Sequence, residues 1–515
     1  VFCVYNQVSD YRYIDMFSRY RYAEYKANER YTIGTNMPDM NVYFSFRLHI
    51  QQAALANNED PAIFCERVSL QYKDVFKMAG ISYTDFIRTT EERHVKVVQH
   101  FWQHLDNRGF IYKDRYQGWY CSSEESFLPT SQLKEDLGKM VSTESGQPVE
   151  WTQEENYMFR LSKLEQDILH WLNSGDKVLY PSNFCQLVKH WISEGLPDLS
   201  ISRDRFRLKW GIPVPNDNTQ TIYVWLDALL NYLTVAGYPI PGYCWPPDCH
   251  VIGKDILRFH ALYWPAFLIA AGLEPPRHIF CHSHWTVENE KMSKSKGNVV
   301  SPIDSMKHYT NDGLRYFLLR EAVPYNDANY NEVKLKRILN SELADTLGNL
   351  LSRCSAPSVN KEQVFPVFDY QVWDQCVATE GKEIVESVCS LPETVKDHFL
   401  EGNFHHGVDV IMNCARQANL FIQNQKPWEL AKSDAEKSRL NTVLYVAMET
   451  LRVCGMLLQP VVPCLSDQIL RKLGVTIQER NWHDLTCFSS IFGNKDNFEG
   501  RPLQKEKTIL FTRIK

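Results

Sequence analysis

The apolar residues of this chain change period along its length. From about His49 they recur at helical spacing, through Ile50-Gln51-Gln52-Ala53-Ala54-Leu55, and a second helix is expected from Pro61. Residues 93–109 carry another amphipathic pattern closed by a glycine. Residues 110–205 mix polar loops with short aromatic strands such as Gly118-Trp119-Tyr120-Cys121, and one helix is expected near 158–172. Between 206 and 300 the pattern turns to alternating β-rich runs and one long apolar helix. The run 221–226 predicts a strand after the turn-forming Pro213-Val214-Pro215-Asn216. His250-Val251-Ile252-Gly253 predicts a second strand, residues 255–271 a helix ended by Pro275-Pro276, and His278-Ile279-Phe280-Cys281 a third strand. Strand, helix and strand within about 30 residues match a βαβ unit with a parallel sheet. Beyond Ser301 the pattern is helical: Leu335, Ile338, Leu339, Leu343, Leu347 and Leu351 recur at one spacing, as do Leu440, Val443, Leu444, Ala447, Leu451 and Leu458. Residues 1–48, rich in tyrosine and arginine, show little periodicity.

These shifts divide the chain into an α/β unit over 1–109 (1–48 atypical) and 206–335, an inserted connective subdomain over 110–205, a helical bundle over 336–480 and a tail over 481–515. At 515 residues the chain exceeds what one core supports. A net charge of −6 excludes a protein that coats nucleic acid through its overall field, so any such partner is held by local basic and aromatic positions. The most apolar run, 261–273, contains Pro265 and falls short of the roughly 20 residues of a membrane span, so no membrane partner is expected. Fourteen cysteines lie scattered without a Cys-x-x-Cys pair. That usage fits reduced thiols, and no structural zinc is expected. Residue 1 is Val, so the chain reads as a piece of a longer one from which a targeting segment is missing.

Candidate chemistry gathers around Lys291-Met292-Ser293-Lys294-Ser295-Lys296-Gly297-Asn298. Lysines interleaved with hydroxyls and a glycine can wrap a polyanion; the plainer reading is a solvated basic loop. In parallel sheets ligands bind beyond the carboxyl ends of the strands, which places Gly253, Asp255 and the loop after Cys281 on one rim. Asp255 there can accept ribose hydroxyls or simply cap a helix. Ile256, His260 and Trp264 recur at i, i+4, i+8 and form one stripe from that rim, either core or pocket wall. Trp225 and Tyr232 offer a second aromatic wall. Asn349 and Arg353, at i, i+4 beside the leucine stripe, are a polar helix face on spacing alone.

The lysine octamer resembles the Lys-Met-Ser-Lys-Ser signature of class I aminoacyl-tRNA synthetases. Together with Tyr223-Val224-Trp225-Leu226-Asp227-Ala228, His250-Val251-Ile252-Gly253-Lys254-Asp255-Ile256 and Phe259-His260, it resembles methionyl-tRNA synthetases from about His49 onward, most closely the mitochondrial branch. The resemblance implies a Rossmann-type catalytic domain and a ligase that joins methionine to tRNA(Met), using ATP with Mg2+, as a monomer in the mitochondrial matrix. It implies that Trp225, Ala228, Tyr232, Ile256, His260 and Trp264 surround the methionine side chain. Gly253, Asp255, Lys291, Met292, Ser293, Lys294 and Ser295 are implied to bind ATP, with Lys291 and Lys294 catalytic. Asn349, Arg353 and Trp428 match anticodon-reading positions. The sequence departs from the family in lacking a His-x-Gly-His motif: His49 is the only histidine before His94. Gly34-Thr35-Asn36 resembles the family's Gly-Thr-Asp but sits too far upstream, and no role is carried onto 1–48. The departure leaves a second reading, a tRNA-binding paralogue with impaired catalysis.

Overall fold

The computed structural model describes residues 53–55, 57–121, 126–128, 130, 133–136, 138–143, 146–175, 177–205, 210–292, 297–488, 498–504 and 509–515. The expectations placed on residues 1–48, on 49–52, and on Ser293, Lys294, Ser295 and Lys296 lie outside them.

Helix α1 (Pro61–Met78) starts where Asp60 accepts the N–H of Ala62 at 2.8 Å, with proline at a first-turn position that needs no donor. Helix α2 (Glu92–Asn107) buries Val97, Val98, Phe101, Trp102 and Leu105 on one stripe. Strand β1 (Ile111–Cys121) then pairs antiparallel with β5 (Val149–Phe159), from Ile111↔Phe159 to Cys121↔Val149. Between them come β2 (Ser126–Leu128), on the other edge of β1, and the hairpin of β3 (Leu133–Asp136) and β4 (Lys139–Ser142). There follow α3 (Glu165–Leu172), β6 (Leu179–Tyr180), α4 (Ser182–Ser193) and β7 (Leu199–Ser200), the last completing the sheet β2-β1-β5-β7. Strands β8 (Ser202–Asp204), β9 (Pro213–Val214) and β10 (Asp217–Ile222) form a second antiparallel sheet, and the chain then turns into α5 (Val224–Leu229) and α6 (Asn231–Ala236).

The parallel sheet has the order β11-β12-β6, where β11 is Cys249–Gly253 and β12 His278–His282. Register runs from Cys249↔His278 to Gly253↔His282, so both strands end on one rim. The connection is helical: a 3-10 turn Lys254–Ile256, a π turn Phe259–Tyr263 and α7 (Trp264–Ala270). Strands β13 (Trp285–Val287), β14 (Glu290–Lys291) and β15 (Ala328–Tyr330) make a small mixed sheet beside the rim, with α8 (Pro302–Tyr309) and α9 (Asn311–Glu321) between β14 and β15.

Beyond β15 the chain is helical through α10 (Glu332–Ile338), a π segment Leu339–Gly348, α11 (Asn349–Ser355), α12 (Ala378–Leu400), α13 (Phe404–Gln425), α14 (Pro427–Leu430), α15 (Lys437–Leu457) and α16 (Pro463–Lys472). Both leucine stripes are buried, and α15 is buried on nearly every side, as expected of a central helix. The turn between α12 and α13 seats on the parallel sheet. Lys177 pairs with Glu401 at 2.7 Å, and the Tyr180 hydroxyl donates to Asn403 Oδ1 at 3.3 Å. Gly402 has φ +71, and a Cβ there would lie 2.2 Å from the Phe280 ring, so glycine is needed twice over. The tail folds back on the bundle: the Arg501 carbonyl accepts the Phe365 N–H, and the Ile514 backbone exchanges two bonds with the Asn340 side chain.

Two element expectations need correction. The run 221–226 is not a strand: β10 stops at Ile222 and Val224 opens a helix. Every residue of α5 is buried, so the run is apolar throughout and its period cannot separate a buried strand from a buried helix. The helix expected near 158–172 begins later, with a 3-10 turn Leu161–Leu164 and then α3, because Met158 and Phe159 belong to β5. Eleven residues of β1 lie opposite them, a long-range pairing that local pattern does not report.

Candidate active site

The rim begins where β11 gives out at Gly253. The next residues turn tightly, which leaves Asp255 beside the loop that follows β12 and β13. Lys291 Nζ lies 2.9 Å from Asp255 Oδ2. His284 Nε2 approaches the same oxygen at 3.2 Å, off the line of a hydrogen bond. Burial alone would push the Asp255 carboxyl up; His284 and Lys291 outweigh it and hold it well below the usual carboxylate range. A second pair braces the rim: Lys254 Nζ meets Asp327 at 2.7 Å, and Asp327 accepts the His284 N–H at 2.9 Å. Asn298 donates to the Lys291 carbonyl at 3.2 Å, closing the base of the lysine loop. Met292 packs against the bundle-side core.

Ile256 follows Asp255 directly and turns inward to a set of buried rings. Trp225 on α5 stacks on Phe259 with centroids 3.5 Å apart and planes 12° apart. The Tyr232 hydroxyl lies 2.9 Å from His260 Nε2, and His260 Nδ1 lies 2.9 Å from the Ile256 carbonyl. A carbonyl only accepts, so Nδ1 carries the proton and Nε2 receives the tyrosine O–H. Burial pushes His260 down to about 4, which keeps it neutral. The Trp264 ring centroid lies 5.9 Å from Tyr232, and Ala228 is buried on α5 between the aromatic positions. All six predicted pocket residues belong to one core cluster or its lining.

Helices α5 and α6 are held from behind. His94, on α2, places Nε2 2.8 Å from Asp227 and Nδ1 3.0 Å from Thr234, and no atom of the His94 or Asp227 side chains reaches solvent. Sequence reasoning passed over His94, His284 and His250, since a lone histidine in an apolar run reads as core. It quoted Phe259 without giving it a task, although an aromatic one turn from Asp255 was the available signal.

In the bundle, Asn349 is exposed and Arg353 half-buried on α11, and Arg353 makes no ion pair among the described residues. Trp428 on α14 is half-buried against the bundle core. Both helices pack on α15, so the structure brings the three residues to elements around one helix. Among the described residues no group of three or more His, Cys, Asp or Glu could hold a metal ion, the cysteines are unpaired, and no helix is long and apolar enough to cross a membrane.

Comparison with known proteins bears on this geometry. The family profile described as tRNA synthetases class I (M) matches residues 45–136 and 131–355. The chain is 48% identical over 484 residues to the mitochondrial methionine–tRNA ligase of Homo sapiens, covering 91% of this chain and 82% of that protein. It is 40% identical over 483 residues to the probable mitochondrial methionine–tRNA ligase of Dictyostelium discoideum, covering 90% and 83%. Its fold superposes on Mycobacterium tuberculosis methionyl-tRNA synthetase in complex with methionyl-adenylate with a TM-score of 0.89, at 33% identity over 99% of this chain and 97% of that one. Lysine loop, rim carboxylate and buried aromatic set thus occur in a chain that belongs to the class I methionyl-tRNA synthetases.

Proposed function

We propose that this chain joins methionine to ATP as methionyl-adenylate and then passes the methionyl group to the terminal ribose of tRNA(Met), as a monomer in the mitochondrial matrix. One observation carries the reading: Gly253, Asp255 and Ile256 share a single turn, with the Lys291-paired carboxylate on one side and the neutral aromatic set on the other. A nucleotide at the carboxylate would then adjoin an apolar side chain among the rings.

In this reading Trp225, Ala228, Tyr232, Ile256, His260 and Trp264 enclose the methionine side chain. Burying it contributes about 1.5–3 kcal/mol. Sulfur–aromatic contacts add about 0.3–1.5 kcal/mol. Shape alone separates side chains differing by one methylene by about 1–3 kcal/mol, so a rigid aromatic wall is the means of selection available. Asp255 accepts the ribose hydroxyls, with Gly253 leaving room for the adenosine. A methionine carboxylate oxygen bonds to the α-phosphorus of ATP, which enters with Mg2+, and the bond to pyrophosphate breaks. Lys291 and Lys294, with Met292, Ser293 and Ser295 around them, offset the charge that builds on the phosphates. Asn349 and Arg353 read anticodon edges and Trp428 stacks a base.

Methionine-dependent ATP–pyrophosphate exchange by the 515-residue chain tests this. Exchange with methionine, lowered by Lys291→Gln, supports the reading, and exchange with a different amino acid refutes it. Absence of exchange with retained tRNA binding favours the impaired paralogue, which the missing His-x-Gly-His motif motivates.

A further inference from the structure

Trp264 has no exposed surface, and its indole N–H donates to His250 Nε2 at 3.2 Å. His250, on β11, is equally buried, and its Nδ1 has no hydrogen-bond partner. An imidazole that accepts at Nε2 carries its proton on Nδ1, so this residue keeps an unpaired donor in the core. Such a group is destabilising, and a leucine would fill the same volume without it. The fold alone gives no reason for a histidine here. Its neighbours do: the His250 ring lies 4.0 Å from Tyr232, tilted by 35°, while its Nε2 holds Trp264. Tyr232 in turn bonds His260, and Trp245 meets the Trp264 ring edge-on at 5.9 Å. His250 therefore backs two walls of the aromatic set while lying on a different element from both. Burial keeps it neutral, as an acceptor must be.

We infer that His250 is a positioning residue for amino-acid selection: by accepting the indole N–H of Trp264 and backing Tyr232, it fixes the ring surface against which the substrate thioether packs. The inference rests on the methionine pocket proposed above. A sulfur gains from a ring only at a defined distance and edge, whereas a methylene in its place is indifferent to ring orientation. The acceptor on β11 thus acts on the difference between a thioether and its hydrocarbon isostere.

The test is isothermal calorimetry of the full chain with L-methionine and L-norleucine, which does not require turnover. His250→Leu should weaken methionine binding about tenfold, equivalent to about 1.4 kcal/mol, and norleucine binding less, while thermal stability is kept. His250→Gln, whose amide oxygen reaches the Nε2 position, should bind methionine within about twofold of the parent. Trp264→Phe removes the donor instead, and the double variant with H250L should lose no more than either single one. Parental methionine affinity in H250L, equal losses in H250L and H250Q, or additive losses in the cycle each overturn the inference. If W264F also binds as the parent does, or the parent binds no methionine, the pocket reading has failed as well. Should H250L not fold, H250Q and W264F decide alone.

Discussion

Replacing His94 by leucine removes the brace behind α5 and α6 while keeping most of the buried volume. The imidazole makes two contacts, at 2.8 Å to Asp227 and 3.0 Å to Thr234, across 133 and 140 residues of chain. A buried hydrogen bond to a charged group contributes about 1.5–3 kcal/mol and a neutral one about 0.5–1.5 kcal/mol. Losing both should cost about 3 kcal/mol, within the range for breaking a buried ionic contact. At about 2–4 °C per kcal/mol for a unit of 150–250 residues, the first calorimetric transition should fall by about 6–12 °C. Hydrogen exchange should localise the loss to residues 224–236. Methionine should bind more weakly, because those helices carry Trp225, Ala228 and Tyr232. His94→Leu on an Asp227→Asn background should cost much less than on the parent, since the contact is already weakened. A fall of under about 1 kcal/mol, or additive costs in the cycle, would refute the brace as the support of this wall.

Gly402→Ala should destabilise by about 2 kcal/mol or more, from the left-handed backbone and the clash with Phe280. Gly500→Ala, at φ +75 in open space, should cost only the backbone part; equal effects in urea unfolding would count against the contact. Burial pushes His260, His282 and His405 down to about 4, so between about pH 4 and 6.5 the unfolded chain binds protons that the native chain refuses. Stability should therefore fall as pH drops through that window, and His405→Phe should flatten the slope; an unchanged slope would contradict the assignment. Trp428→Ala should weaken tRNA(Met) binding by about 1–3 kcal/mol and leave pyrophosphate exchange alone, as filter binding beside an exchange assay would show. A drop in exchange would place Trp428 outside the anticodon role.

The parallel strands and the bundle were legible because their signals are local. β11 and β12 are short apolar runs bounded by glycine and proline, and the leucine stripes keep helical period over several turns. Asp255, Ile256, His260 and Trp264 were legible for the same reason, lying on one continuous turn and helix. What escaped depends on distant partners. Met158 follows β5 because β1 lies opposite, and Val224 is helical because neighbours bury its every side. His94 matters through Asp227, His284 through Asp255 and His250 through Trp264, and no window along the chain contains those pairs except the last. There both residues were in view, but a histidine among Val251 and Ile252 carries the signature of ordinary interior. Fold class was thus readable from period, whereas the supports of the site were written in pairings.

The seat of Gly402 on Phe280 ties two motions together. Phe280 sits in the middle of β12, the strand that runs out two residues later and delivers His284 to the carboxylate. The hairpin of α12 and α13 cannot rock without pushing that ring or pulling Lys177 away from Glu401. A load applied to the far end of the hairpin is therefore felt first at the floor of the rim, through a joint with no side chain to cushion it.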